Sequence, residues 1–308
     1  MVDQIKFGTD GWRAVIGDTY TVNNIARVAE GTALWIKQQS NDPSIVIGHD
    51  CRFNGELFMK TAIKVYLSHG IKVYYAEGFV STPMVSMGTK KYNADIGVVL
   101  TASHNPASYG GYKLKSNFGG PLLPDKIQEV EDLIPDNIDK GMLNVDIDDA
   151  IKSNRLIEVD LESEYIAAVK ENFDIEAIKK SGLNLAFDAM YGSGQNVLKP
   201  LFPDMHFLHC EHNPGFMGQA PEPIAKNLKE LEAFIKANGT IDAALATDGD
   251  ADRIGLYGKL GEFIDSHHII LLLIHYMVKY KGMSGKVITA FSCSPKIAKM
   301  CEHYGLEH

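Results

Sequence analysis

The chain of 308 residues carries little that would staple, anchor or attract a polyanion. There are four cysteines, Cys51, Cys210, Cys293 and Cys301, and none stands in a Cys-x-x-Cys pair. Neither a zinc site nor a disulfide framework is indicated, and the thiols suit a reducing compartment. The longest apolar run, Ile269 to Ile274, is far too short to span a bilayer. The opening Met-Val-Asp-Gln-Ile-Lys has no apolar signal segment. Basic residues are in deficit, 30 Lys and Arg against 39 Asp and Glu, a net charge of −9. That balance excludes a general affinity for nucleic acid or an anionic membrane. A cytoplasmic protein is expected, and any anion site in it must be a local gathering of Arg, Lys and metal. With 45% hydrophobic and 22% charged residues the composition is that of an ordinary globular protein.

Short apolar runs alternate with helical stripes. Residues 21–39 place Val22, Ile25, Ala26, Ala29, Ala33 and Ile36 on one helical face. Strands are expected at 44–48, 71–75 and 95–100. A helix over 55–69 is expected to be capped by Asn54 and stopped at Gly70, and another to start at Thr82-Pro83. Residues 134–153 are polar and acidic and read as a connection, so a first domain is expected to span 1–153. The pattern restarts over 154–263. Helices are expected at 161–173 and 224–238, strands at 183–188, 205–210 and 241–246, and Tyr191-Gly192-Ser193-Gly194 as a turn opening a helix. A third unit begins at 264 with helix 267–281, strand 286–290 and helix 295–304. Alternation of this kind defines an α/β fold with a sheet covered on both faces.

Two stretches carry chemistry. The apolar strand 96–100 runs into Thr101-Ala102-Ser103-His104-Asn105-Pro106, a tight turn that can hold an exposed hydroxyl. The plainer reading is a loop in which Ser103 caps a backbone N–H. The second stretch is Asp248-Gly249-Asp250-Ala251-Asp252-Arg253, three carboxylates at alternate positions separated by small residues. A hard divalent cation needs oxygen ligands of this kind on a backbone that bends closely around it. The plainer reading there is a solvated turn.

Together these stretches resemble the α-D-phosphohexomutase family, the phosphoglucomutase/phosphomannomutase group. Further matches are Phe7-Gly8-Thr9-Asp10-Gly11-Trp12-Arg13, Gly48-His49-Asp50-Cys51-Arg52, Tyr112-Lys113, Asp188-Ala189-Met190-Tyr191-Gly192 and Pro221-Glu222-Pro223. The resemblance implies two consecutive α/β/α domains followed by an incomplete third. The third-domain Glu-x-Ser sugar loop and the fourth domain of the family have no counterpart, so the chain is expected to be a fragment with weak or no turnover of its own. The apolar helix at 267–281 is expected to pack on the second domain, to be mobile, or to drive self-association.

The resemblance also implies roles. Ser103 would carry the phosphate, giving it to a sugar monophosphate and recovering the other phosphate from a sugar 1,6-bisphosphate, which also serves as activator. Asp248, Asp250 and Asp252 would hold one Mg²⁺ together with an oxygen on Ser103. Arg253 would reach the phosphate as a bidentate donor. His104 and Lys113 are candidates to move the proton of the sugar hydroxyl, with Lys115 an alternative, since a histidine titrates near neutral pH and a lysine close to a metal and other cations can have its pKa lowered. Arg13 would face the cleft, and Arg52 either does so or forms an ion pair with Asp50. Thr101 and Asn105 would shape the loop. The Gly110-Gly111 pair, where the family often has asparagine, is expected to make a sharper or more mobile turn. The expected reaction is interconversion of sugar 1- and 6-phosphates, glucose first, then mannose, with glucosamine and pentose phosphates behind. The competing readings are a phosphatase with an aspartyl nucleophile in the Asp248 loop, and a fragment that keeps the site without catalysis.

Overall fold

The computed structural model describes residues 4–308. Its first sheet has six strands, β1 (Trp12–Val15), β2 (Ser44–His49), β3 (Lys72–Phe79), β4 (Ile96–Leu100), β5 (Tyr109–Ser116) and β6 (Leu156–Glu158), in the order β1-β5-β4-β2-β3-β6. The four strands β4, β2, β3 and β6 are mutually parallel, whereas β5 and β1 add antiparallel. Strands β2 and β4 are buried almost throughout, as apolar runs covered on both faces must be. Alternate residues of β2 serve different faces: Ile45 and Ile47 join one core, Val46 the other. The first face is covered by α1 (Val22–Gln39) and α2 (Gly55–Ser68), the second by α3 (Thr82–Lys91). Two shorter helices, α4 (Pro124–Glu131) and α5 (Ile147–Lys152), lie in the stretch that leads to β6. Strand β6 pairs with β3, so the first sheet takes in residues beyond 153.

Capping chemistry explains most helix starts. The side chain of Thr21 accepts from the Asn24 amide before α1, and Ser81 accepts from Met84 before α3, with Pro83 in the first turn. Asn54 does occupy the cap position of α2, but in a left-handed conformation (φ 60°) without a side-chain capping bond.

The second sheet has the order β11-β10-β9-β7-β8, built from β7 (Leu185–Asp188), β8 (His206–Leu208), β9 (Ala243–Thr247), β10 (Ile254–Gly258) and β11 (Phe263–Ile264). Four helices accompany it: α6 (Leu161–Asn172), α7 (Ile175–Lys180), α8 (Leu198–Leu201) and α9 (Lys229–Asn238). Leu161 of α6 packs beside Met84 and Val85 in the second core of the first sheet.

Three expectations need correction here. No helix opens at residues 191–194: Met190 and Tyr191 are left-handed (φ 49° and 58°), and α8 begins only at Leu198. Helix α9 starts at Lys229 rather than 224, because the Asn227 amide group is spent on the carbonyls of Glu222 and Ala220 (3.0 and 3.5 Å), which fixes the preceding residues as a loop. Residues 286–290 form no strand, only a single bridge between Lys286 and Glu307. Among the described residues no sheet lies beyond Ile264 to satisfy the backbone of a strand there. Helices α10 (Ser266–Lys279) and α11 (Lys296–Tyr304) instead pack on each other through Ile274, Ile297 and Cys301. Leu272, Leu273 and Tyr276 of α10 remain exposed. No helix among the described residues is long and apolar enough to cross a membrane.

Candidate active site

The serine loop leaves the carboxyl end of β4 beside the carboxyl end of β2, on the two sides of which β3 and β4 lie. In parallel α/β sheets this reversal of strand order opens the crevice that ligands use. Ser103 is buried, with φ 52°. A left-handed serine costs about 1–3 kcal/mol and persists only where its surroundings hold it. Arg52 does much of the holding. Its guanidinium donates to the carbonyls of Ser103 and Asn105 (both 2.7 Å), Pro106 (2.7 Å) and Tyr109 (2.9 Å). Asp50 balances its charge at 3.1 Å and accepts from the Thr101 hydroxyl at 2.6 Å, and that hydroxyl accepts the Ser103 amide at 2.9 Å. Arg52 is thus spent on backbone carbonyls and shapes the loop rather than facing the cleft. Thr101 shapes it too.

The second loop follows β9. The Asp248 carboxylate accepts the amides of Asp252 and Arg253 on Oδ1 (3.0 and 3.1 Å) and the Ser103 hydroxyl on Oδ2 at 2.8 Å. Asp250 accepts from the Thr82 hydroxyl at 2.6 Å, and its carbonyl accepts the Thr82 amide at 3.0 Å. Ligand oxygens of Asp248, Asp250 and Asp252 all lie within 4.8 Å of one another. Asp250 Oδ1 is buried without a hydrogen-bond partner. Burial, with repulsion from Asp250 and Asp252, pushes the Asp248 carboxyl up to about 8. An orphaned carboxylate oxygen among three crowded acids is what a hard divalent cation satisfies, so these residues fit one.

Lys113, on β5, is buried, and its ammonium bonds to Asp10 at 2.6 Å, Asp250 at 2.8 Å and Asp252 at 3.1 Å. The protein's own groups act in the opposite sense to the lowering that a metal and other cations would bring. Burial opposes its charge, but Asp250, Asp252 and Asp10 outweigh burial and raise it. Two of these acids, Asp250 and Asp252, are also candidate ligands of the cation. Lys115 is buried two residues on and is lowered, by burial and by the positive charge of Lys113. His104 Nδ1 lies 3.4 Å from the Ser103 hydroxyl, and burial with the charges of Arg253 and Arg13 lowers its pKa. Arg13 donates to the Asn105 side chain at 2.8 Å and stands 3.9 Å from Asp10. The Arg253 side chain is exposed while its amide braces Asp248. The Gly110-Gly111 pair lies within β5 and makes no turn. A Cβ on Gly110 would meet the Tyr20 ring at 2.3 Å, and one on Gly111 the Thr101 carbonyl at 2.2 Å.

The structure therefore brings Ser103, His104, Lys113, Asp248, Asp250 and Asp252 to one place, with Arg13 and Arg253 beside them. Two members escaped the sequence reading. Asp10 stood inside a quoted motif without a role, and Thr82 showed only as a helix start. Neither residue type signals a contact across 100 or more residues.

A strained serine facing a carboxylate triad, each loop at the carboxyl end of a strand in its own α/β sheet, defines the class of protein. A family model for phosphoglucomutase/phosphomannomutase α/β/α domain I matches residues 4–140, and the model for domain II of the same family matches 163–261. The chain belongs to this family, the α-D-phosphohexomutases. It is 31% identical over 286 residues to "Probable phosphoglucosamine mutase" of Pyrococcus furiosus, covering 92% of this chain and 60% of that protein. It is 30% identical over 308 residues to the phosphoglucomutase/phosphomannomutase of Thermococcus kodakarensis, covering 97% and 65%. A solved structure named "putative phosphomannomutase" from Thermus thermophilus superposes with a TM-score of 0.90 at 30% identity, covering 100% of this chain and 69% of that one. The chain thus spans 60–65% of the length of these two curated relatives.

Proposed function

We propose that this site belongs to a phosphohexomutase that interconverts sugar 1-phosphates and 6-phosphates through a phosphorylated Ser103. The observation that carries the reading is the 2.8 Å hydrogen bond from the Ser103 hydroxyl to Asp248, in the midst of three carboxylates suited to a cation. Phosphoryl transfer asks little covalent work of a protein beyond positioning and charge stabilisation. Ser103 Oγ is the atom that takes and returns the phosphate. A Mg²⁺ held by Asp248, Asp250 and Asp252, with a Ser103 oxygen, would offset charge on the transferring group. Arg13 and Arg253 lie where they can bind phosphate oxygens. His104, kept neutral by its surroundings, is suited to accept the proton of the attacking hydroxyl. Lys113, whose ammonium bonds to Asp10, Asp250 and Asp252, is the second candidate for moving that proton. A sugar 1,6-bisphosphate is both intermediate and activator.

The names of the relatives span glucosamine, glucose and mannose phosphates, and the reaction class is common to all of them. We assign the class and not one sugar. The test is to incubate the purified chain with glucose 1,6-bisphosphate and Mg²⁺ and weigh it intact. A gain of one phosphate, absent in Ser103→Ala, supports the assignment. Equal labelling of the variant overturns it.

A further inference from the structure

One charged cluster outside the serine and aspartate loops is tied to the second of them through a single turn. His209, just past β8, is left-handed (φ 49°). Its Nδ1–H donates to both oxygens of Asp188, at 2.9 and 3.0 Å, and its Nε2–H donates to Glu230 at 3.0 Å. Carboxylates only accept, so a ring bonded to them through both nitrogens is an imidazolium. Asp188, buried at the end of β7, also accepts the Met190 amide at 2.8 Å. The His209 carbonyl accepts the Tyr191 amide at 2.9 Å. One residue therefore grips the 188–191 turn with both its side chain and its main chain.

That turn needs gripping, because Met190 and Tyr191 are left-handed non-glycine residues. The residues after it bear on the aspartate loop. A Cβ on Gly192 would meet the Asp248 carbonyl at 2.6 Å. The amide and hydroxyl of Ser193 donate to the Gly249 carbonyl at 2.9 and 3.2 Å. The chain of contacts runs from His209 through the turn to the backbone between two candidate metal ligands.

We propose that His209, as an imidazolium held between Asp188 and Glu230, is a positioning residue for the Asp248–Asp252 loop, and that discharging it loosens the loop's hold on a divalent cation. This rests on reading that loop as the metal site. The groups that face the ring are Asp188 from β7, Glu230 from α9 and the Tyr191 ring, whose centroid lies 4.8 Å away. Lys229 lines the same cavity of about 280 Å³ but pairs with Glu232. The hydrogen bond to Asp188, reinforced against burial by both carboxylate charges, pushes the imidazole up to about 9. The grip is therefore intact at neutral pH and is released as pH rises through about 9.

Calorimetric titration of Mg²⁺ into the whole chain, His209→Gln and Glu230→Gln at about pH 7 and about pH 10 tests the clamp. Whatever pH does to the metal ligands themselves is common to wild type and variants, so the ratio of wild type to variant isolates His209. The expected ratio is roughly tenfold in favour of wild type at the lower pH, falling toward unity at the higher. A ratio that does not change with pH, or is unity at both, overturns the proposal. Amide exchange over 189–195 and 247–253 reads the clamp without metal. Both variants should lose protection there, and unchanged protection also overturns it. Should His209→Gln fail to fold, Glu230→Gln, altered only at an exposed partner, carries both measurements. Lost protection beside a wild-type chain that binds no Mg²⁺ at either pH overturns the metal reading and the cation half of this proposal, and leaves the grip on the loop standing.

Discussion

Gly249 lies so close to Ser103 that a Cβ built on it would come within 2.4 Å of the Ser103 carbonyl oxygen. The serine loop of one sheet and the aspartate loop of the other meet backbone to backbone at this point. The 2.8 Å bond between Ser103 and Asp248 depends on that approach.

Gly249→Ala should therefore push the two loops apart. Overpacking of this kind costs about 1–3 kcal/mol, which a shift of the urea midpoint would show. Phosphate loading of Ser103 should fall by much more than stability does, measured by intact mass after incubation with glucose 1,6-bisphosphate.

Ser103→Ala separates the mutase reading from that of an aspartyl phosphatase. Loading should vanish while the variant stays folded, with a stability change on the order of 1 kcal/mol for the lost hydrogen bond. A phosphatase built on the Asp248 loop would keep hydrolysing a sugar phosphate or p-nitrophenyl phosphate at the wild-type rate. Retained hydrolysis with this substitution would sink the role given to Ser103.

Raised acids set a pH dependence of definite sign. Asp248 titrates near 8 in the fold, against an ordinary value near 4, so between those pH values the folded chain binds more protons than the unfolded one. Its contribution to stability is thus present at low pH and lost as pH rises toward 8. A divalent cation replaces the proton, so the rise in Tm given by Mg²⁺ should grow between about pH 6 and about pH 9. Differential scanning fluorimetry over that range checks it. Asp248→Asn should flatten the curve.

Arg52→Ala removes a guanidinium that binds four carbonyls and leaves Asp50 buried without its partner. A loss of about 3–5 kcal/mol is expected in denaturant unfolding. Arg52→Lys should recover little of it, since an ammonium has three donors on one atom and cannot span four acceptors in a fork. Full recovery by lysine would show that charge alone holds the loop.

The sequence made the site legible where a motif is compact. Ser103 with His104, and the three aspartates, stand in short runs whose spacing already expresses the chemistry. The α/β alternation was equally plain, because β2 and β4 are apolar runs and α1 carries a clear stripe. Contacts between distant parts were not legible. Nothing local reveals that Lys113 sits among acids contributed by Asp10, Asp250 and Asp252. The glycine pair at 110–111 looked like a turn and proved to be two close approaches in a strand, against Tyr20 and Thr101. The helix expected after Tyr191 failed because left-handed residues there serve the neighbouring loop. The strand at 286–290 failed because a strand is a relation between segments, and its pattern alone cannot supply a neighbour.

Thr82 stands at the start of α3, on the first sheet, yet its amide and hydroxyl both bind Asp250 of the second. Leu161 likewise belongs to a helix that leads into the second unit while packing in the core of the first. The two units are thus poor candidates for exchange as modules. A chimera that took residues up to the end of α5 from this chain and the remainder from a relative would inherit half of each contact. Its aspartate loop would reach its partner only if the donor carried residues matched to Thr82 and to the Leu161 pocket. In a lineage of such chains, substitutions at these positions are expected to travel in pairs.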